Sequence, residues 1–370
     1  MTIWMEDSQR GNGKPVRAIA LYKPLRKRLS VLSMKAHPDS VLVPPILRSI
    51  LIRLIAAVAT SVLIGAVLAL LSSSALAEKE KTIAFIPGIA SDPFFKAMEL
   101  GARGEAKKLG INLLWQGSAS DYSPQTQMPF VDSAFANGID ALILVPTDPD
   151  SLQTAVARAQ ALNIPVITVD TTVKDQSYLT SYITGDNADG GRKAASTLAE
   201  QIGDSGKVFI MSGSPSATTD TVREQGFREE MAKHPKIQIV GREYANSQPA
   251  AATSAVNTVL LKFPDLAGIF AIDGTSGTGA VAALRNANKV GQVKLVGYDA
   301  YKAEVDALKE GVFTALIAQQ PAHEAELALQ YANDKLTGKN VDAIQKTVVI
   351  PNIVMTKDNL NETQKYMYVE

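Results

Sequence analysis

Short apolar runs rich in Ile, Leu and Val alternate along this chain with longer segments of helical periodicity. Residues 82–87, 112–116, 141–146 and 165–170 are apolar with little alternation, the pattern of strands covered on both faces. Between them, 93–109 reads as a helix, with Ser91-Asp92 as cap candidates, Pro93 in the first turn and Gly110 as the stop. Residues 151–162 follow Asp148-Pro149-Asp150 in the same manner. The pattern then restarts, with strands expected at 207–212, 238–244, 266–273 and 294–298 and helices at 218–233, 250–262, 278–286 and 303–310. Strand–helix repeats of this length predict parallel sheets with helices on both faces. Two successive sets predict two α/β lobes, each open and doubly wound, with ligand groups at the carboxyl ends of the strands.

One apolar run stands apart. Residues 54–71 follow Arg48 and Arg53 and precede Ala75-Leu76-Ala77, after which Glu78-Lys79-Glu80-Lys81 opens a polar chain. A basic region, an apolar core and a small-x-small site make a secretory signal, so cleavage is expected after Ala77 and export to the periplasm follows. The run is close to the length of a membrane span, so an uncleaved anchor is the competing reading. The residues before Arg48 show no periodicity and read as disordered, and Met34 is a second candidate start.

Removing that leader changes the charge. The whole chain holds 37 basic and 37 acidic residues, but residues 1–77 hold ten basic and three acidic ones, leaving 27 against 34 from Glu78 onward. An acidic mature chain argues against nucleic acid as a partner, because phosphate binding wants a basic face. Cysteine is absent, so neither a disulfide nor a lipid-bearing Cys is possible.

Polar residues recur where the predicted strands end. Asp92 follows the first strand, Asp170 ends the fourth, Asp273 and Asp299 end strands of the second set, and Gln319 closes the apolar run 314–318. Each Asp taken singly suits a helix cap. Together on both sheets, carboxylates and an amide suit a ligand dense in hydroxyls. Phe94-Phe95 beside Asp92 adds an apolar wall for the C–H face of a sugar, one of the two being expected to pack into the core.

These residues closely resemble the ribose-type periplasmic binding proteins of ABC importers. Thr82-Ile83-Ala84-Phe85-Ile86-Pro87-Gly88-Ile89-Ala90-Ser91-Asp92-Pro93-Phe94-Phe95 is similar to the family's opening strand and turn. Also similar, and in order, are Pro146-Thr147-Asp148, Ile164-Pro165-Val166-Ile167-Thr168-Val169-Asp170, Asp186-Asn187, Arg223-Glu224-Gln225-Gly226-Phe227, Val296-Gly297-Tyr298-Asp299 and Ile317-Ala318-Gln319. The resemblance implies a type I periplasmic binding protein, two doubly wound lobes joined by three hinge crossovers near Gly185-Asp186, Gln319-Gln320 and Ile350-Pro351. Behind a leader of residues 1–77, the first lobe would hold 78–185 and 320–350, and the second 186–319 and 351–370. It further implies that Asp92, Phe94, Phe95, Asp170, Arg223, Asp273, Asp299 and Gln319 bind one small polyhydroxylated solute. The protein would be a monomer that captures a monosaccharide or sugar alcohol by lobe closure and delivers it to an inner-membrane ABC permease, without a cofactor or metal. A sugar receptor for chemotaxis or signalling is the alternative.

Two positions depart from the ribose pattern, which carries Asn where this chain has Val145 and Arg where it has Thr171. Thr does not replace a forked guanidinium, so a sugar other than ribose is expected. Enzyme chemistry finds few residues to use. No Gly-x-Gly-x-x-Gly follows the first strand, and Gly274-Thr275-Ser276-Gly277-Thr278-Gly279 lacks the Lys of a phosphate loop and reads as a turn into a helix. Histidine occurs only at 37, 234 and 323, and no acidic or His cluster has metal spacing. A sugar-responsive repressor would need a helix-turn-helix where this chain has its export signal.

Overall fold

The computed structural model describes residues 44–60, apart from 48 and 51, and 80–368. The chain divides into two units, residues 1–78 and 79–370. In the first, the described residues between 45 and 60 are helical. Among the described residues no helix is long and apolar enough to cross a membrane. Most of the run 54–71, and Ala75-Leu76-Ala77 with it, lie outside the described residues.

The second unit holds two six-stranded sheets. In chain order the first five strands are β1 Thr82–Ile86, β2 Asn112–Trp115, β3 Ala141–Leu144, β4 Val166–Val169 and β5 Ser181–Gly185. The next five are β6 Gly206–Ser212, β7 Ile237–Tyr244, β8 Leu266–Ala271, β9 Lys294–Tyr298 and β10 Ala315–Ala318, followed by β11 Thr347–Ile350 and β12 Ile353–Met355. One sheet runs β11-β5-β4-β3-β1-β2 and the other β12-β10-β9-β8-β6-β7. Pairing is parallel throughout, save that β12 lies antiparallel to β10.

Helices cover both faces, as the unbroken apolar strands require. They are α1 Pro93–Leu109, α2 Pro124–Ala136, α3 Gln153–Ala161, α4 Asn187–Gln201, α5 Thr218–Met231, α6 Pro249–Lys262, α7 Gly274–Asn286, α8 Lys302–Glu310 and α9 Pro321–Thr337. Ile83 and Phe85 of β1 pack on one side with Met98 of α1, while Ala84 and Ile86 pack on the other with Val131 of α2. Asp92 caps α1, its side chain accepting the Phe94 N–H at 2.8 Å, and Gly110 ends that helix in the left-handed region at φ 67°.

Several elements escape the sequence reading, among them α2, α4, α9 and strands β5, β11 and β12. The segment that forms α4 is polar and small because it packs by close approach. A Cβ at Gly191 would collide with the Arg223 carbonyl of α5, and one at Gly226 of α5 would collide with the Ala188 carbonyl. The expected helix 278–286 begins earlier, at Gly274, so the glycine-rich segment forms its first turns.

The chain passes between the sheets after β5, after β10 and between β11 and β12. Asn352 binds these passages together, its Nδ2 donating to Asp186 O at 2.9 Å and to the Tyr298 hydroxyl at 2.6 Å. Gln320 Nε2 donates to Pro351 O at 3.0 Å. The strand carboxyl ends of both sheets therefore face one cavity.

Candidate functional site

That cavity has a volume of about 70 Å³. Asp92, Phe94, Phe95, Asp170, Arg223, Asp273, Asp299 and Gln319 all line it. The loops after β1 and β4 and the first turn of α1 supply Asp92, Phe94, Phe95 and Asp170, and the loops after β8, β9 and β10, with α5, supply the rest.

The four aspartates fall into two kinds. Asp92 and Asp273 are caps as well as cavity residues: Asp273 Oδ1 accepts from Ser276 N at 2.6 Å and from the Thr275 hydroxyl at 2.9 Å. Asp170 and Asp299 end β4 and β9 in the left-handed region, at φ 61° and 76°. Each passes its N–H to the neighbouring strand, Asp170 to Ile183 O at 2.8 Å and Asp299 to Ile317 O at 2.9 Å. A left-handed non-glycine residue is strained, and Asp is among the few side chains that tolerate it. The bend turns both carboxyls off the sheet edge into the cavity.

Donors converge on Asp299. Its Oδ2 accepts the Gly274 N–H at 2.9 Å, and its Oδ1 accepts from Gln319 Nε2 at 2.6 Å and the Tyr368 hydroxyl at 3.1 Å. Gln319 Oε1 and Asp170 Oδ1 are buried and take no hydrogen bond from the described residues. Arg223 is held on three sides: Nε donates to Asn187 Oδ1 at 2.7 Å, Nη1 donates to Ile272 O at 3.1 Å, and the guanidinium lies 3.8 Å from the Tyr298 ring centre. It reaches Asp170 and Asp220 at 3.9 Å each. Phe94 and Phe95 meet edge to face with centroids 5.1 Å apart, and both pack into the buried core while also lining the cavity, so the expected division between one core ring and one cavity ring does not appear.

Burial dominates the electrostatics. It lifts Asp92 to about 7 against the hydrogen bonds from Tyr301 and Phe94 N. It raises Asp170 and Asp299 as well, with Arg223 pulling each back.

Tyr122, Ser214, Asp220, Ser247, Thr275 and Tyr301 also line the cavity and were not singled out by sequence. Asp220 carried a usable signal, since it precedes Arg223 by three residues on one helix and shares its face. Tyr301 and Thr275 each lie two residues beyond a strand-end aspartate. The two departures from the ribose pattern lie behind the wall. Thr171 donates its hydroxyl to Pro146 O at 2.7 Å, the same carbonyl that Tyr122 approaches at 3.5 Å. Val145 is core, and its carbonyl accepts from the buried Gln127 side chain at 2.7 Å.

The model of the periplasmic binding protein domain matches residues 83–340. This chain belongs to the periplasmic binding protein family. The ribose import binding protein of Bacillus subtilis is 31% identical to it over 274 residues, 74% of this chain and 87% of that one. The xylitol-binding protein of Mycolicibacterium smegmatis is 29% identical over 266 residues, 72% of this chain and 74% of that one. Among solved structures, an ABC transporter solute binding protein from Agrobacterium vitis bound with α-D-tagatopyranose superposes with a TM-score of 0.76 at 34% identity, covering 79% of this chain and all of that one. The architecture is that of a type I periplasmic binding protein, two parallel-dominated sheets with the site where their strand ends meet.

Proposed function

We propose that this periplasmic binding protein captures a monosaccharide or sugar alcohol in the periplasm and hands it to the membrane permease of an ABC importer. The observation that carries the reading is the convergence of side chains from both sheets on one cavity. Two of its buried acceptors, Asp170 Oδ1 and Gln319 Oε1, lack a protein donor among the described residues. Solute hydroxyls would supply the donors, Arg223 and the amides would answer the solute's lone pairs, and Phe94-Phe95 would cover its carbon face. Contacts on both lobes favour the closed form, so binding would shift the population toward it.

The protein acts in this reading as a monomeric binding protein and not as an enzyme. The solute contacts are Asp92, Phe94, Phe95, Asp170, Arg223, Asp273, Asp299 and Gln319. The leader is removed after Ala77, which mass spectrometry of the exported protein would check; a retained 54–71 segment would replace the soluble reading with an anchored one. A thermal-shift screen against pentoses, hexoses and sugar alcohols tests the main claim, since a ligand at 100 times its Kd adds about 2.7 kcal/mol of stability. Silence across all three classes would overturn it.

A further inference from the structure

The cavity gathers more carboxyl groups than a neutral polyol needs. Asp92, Asp170, Asp220, Asp273 and Asp299 line it together with one cationic residue, Arg223. Arg223 stands near Asp170 and Asp220, and among the described residues no ion pair joins a cation to Asp92 or Asp273.

Asp220 and Asp273 stand side by side. A Cβ built on Gly213 would lie within 3.0 Å of both Asp273 Oδ2 and Asp220 Oδ2, so the two oxygens share one side of that glycine. Asp220 Oδ2 accepts the Ser214 N–H at 2.8 Å, while Asp273 commits Oδ1 to the start of α7. Asp273 Oδ2 accepts no hydrogen bond from the described residues. A second, independent mark of a ligand belongs to the same cavity. Asp170 and Gln319, 7% and 2% exposed, both line it, and Asp170 Oδ1 and Gln319 Oε1 take no hydrogen bond from the described residues.

Three kinds of cation answer such a pair differently. A divalent metal wants about six to eight oxygens, and among the described residues no group of three or more acidic, His or Cys side chains is placed to hold one. A quaternary ammonium has no N–H to give these carboxylates. A protonated primary amine has three, and it supplies the missing positive charge in the same atom.

We propose that the solute is an amino sugar, or an amino polyol of similar size, whose ammonium group sits between Asp220 and Asp273 while its hydroxyls meet the remaining polar groups. This rests on the carbohydrate-binding reading above and narrows it. Burial lifts Asp220 well above the usual carboxyl range and the neighbouring Asp273 lifts it further, a repulsion that an ammonium between them removes.

Titration calorimetry on the purified protein at about pH 6.5, below the usual range of such amines, tests it with matched pairs. D-glucosamine is set against D-glucose, D-galactosamine against D-galactose, and D-mannosamine against D-mannose, with D-ribose, D-tagatose and xylitol alongside. At least one amine should bind about tenfold or more tightly than its hydroxyl partner. Asp273→Asn should shrink that ratio several-fold, because Asn still caps α7 while the charge is gone; Asp220→Asn should do the same if the first variant fails to fold. Amines no tighter than their partners, or a ratio that neither variant lowers, would overturn the proposal. A neutral sugar that binds alone would overturn it too, and would leave the carbohydrate reading standing. No binding by any of these probes would remove both.

Discussion

The Tyr301 hydroxyl lies 2.7 Å and 2.8 Å from the two carboxyl oxygens of Asp92. Tyr301 follows β9 of one sheet and Asp92 follows β1 of the other, so this contact joins the lobes inside the cavity itself. A phenol has one proton and cannot donate fully to two oxygens. Any solute group that reaches Asp92 must share it with Tyr301. The same residue therefore touches both closure and recognition.

Removing the phenolic oxygen separates those roles. A hydrogen bond to a charged group is worth about 1.5–3 kcal/mol, and each 1.4 kcal/mol is about tenfold in an equilibrium. Tyr301→Phe should therefore lower the closed-to-open ratio by about tenfold or more. Small-angle scattering of the solute-free protein would register a larger radius of gyration than the parent. Equal radii would mean that other contacts hold the lobes.

The buried acids set a pH dependence of stability. Burial raises Asp92 to about 7, from 3.8, and Asp170, Asp220, Asp299, Glu304 and Glu324 shift in the same direction. The folded chain then holds more protons than the unfolded one across that interval, so unfolding free energy falls as pH rises. The advantage is complete below the ordinary carboxyl range and is lost as pH climbs through about 7. The melting temperature should be several degrees higher at about pH 5.5 than at about pH 8. Asp92→Asn should narrow that gap, and a gap unchanged by the variant would assign the effect to the other acids.

Much of this site was readable in the chain because strand ends can be counted. Asp170, Asp273, Asp299 and Gln319 each sit one or two residues past an apolar run, Asp92 sits in the turn that follows β1, and a parallel sheet brings such ends together. Arg223 was different, since an arginine inside a polar helix looks like a solvated charge, and only the family motif around Gly226-Phe227 marked it. Tyr301 escaped because its partner Asp92 comes from the other sheet, a tertiary fact, whereas Asp220 was within reach, one turn before Arg223 on the same helix. Thr171 is likewise a tertiary matter: its hydroxyl is turned to Pro146 O, the carbonyl that Tyr122 also approaches.

Asp170 offers a test that separates binding from backbone strain. At φ 61° it stands where Asn is tolerated and Ala carries a penalty of about 1–2 kcal/mol. Asp170→Asn should fold like the parent and bind solute about 5- to 150-fold more weakly, the equivalent of about 1–3 kcal/mol for a buried partner lost. Asp170→Ala should bind at least as poorly and also melt earlier. Calorimetric titration and thermal denaturation of the two variants decide it. Parental affinity in Asp170→Asn would exclude its carboxylate from the solute contacts.

The crossovers can be probed without touching the cavity lining. A Cβ at Gly190 would collide with the Tyr298 hydroxyl and would stand 2.9 Å from Asn352 Nδ2. Those two groups are hydrogen-bonded to each other at 2.6 Å, and Asn352 also holds the Asp186 carbonyl of the first crossover. Gly190→Ala must therefore push one crossover away from another, and overpacking of this kind costs about 1–3 kcal/mol. At about 2–4 °C per kcal/mol, the melting temperature should fall by several degrees. Because Tyr298 also carries the Arg223 guanidinium on its ring, a shift there should weaken solute binding with no change in any residue that lines the cavity. A lower melting temperature with unchanged affinity would mean that the crossovers bear on stability alone. A parental melting temperature would mean that the packing at Gly190 yields freely.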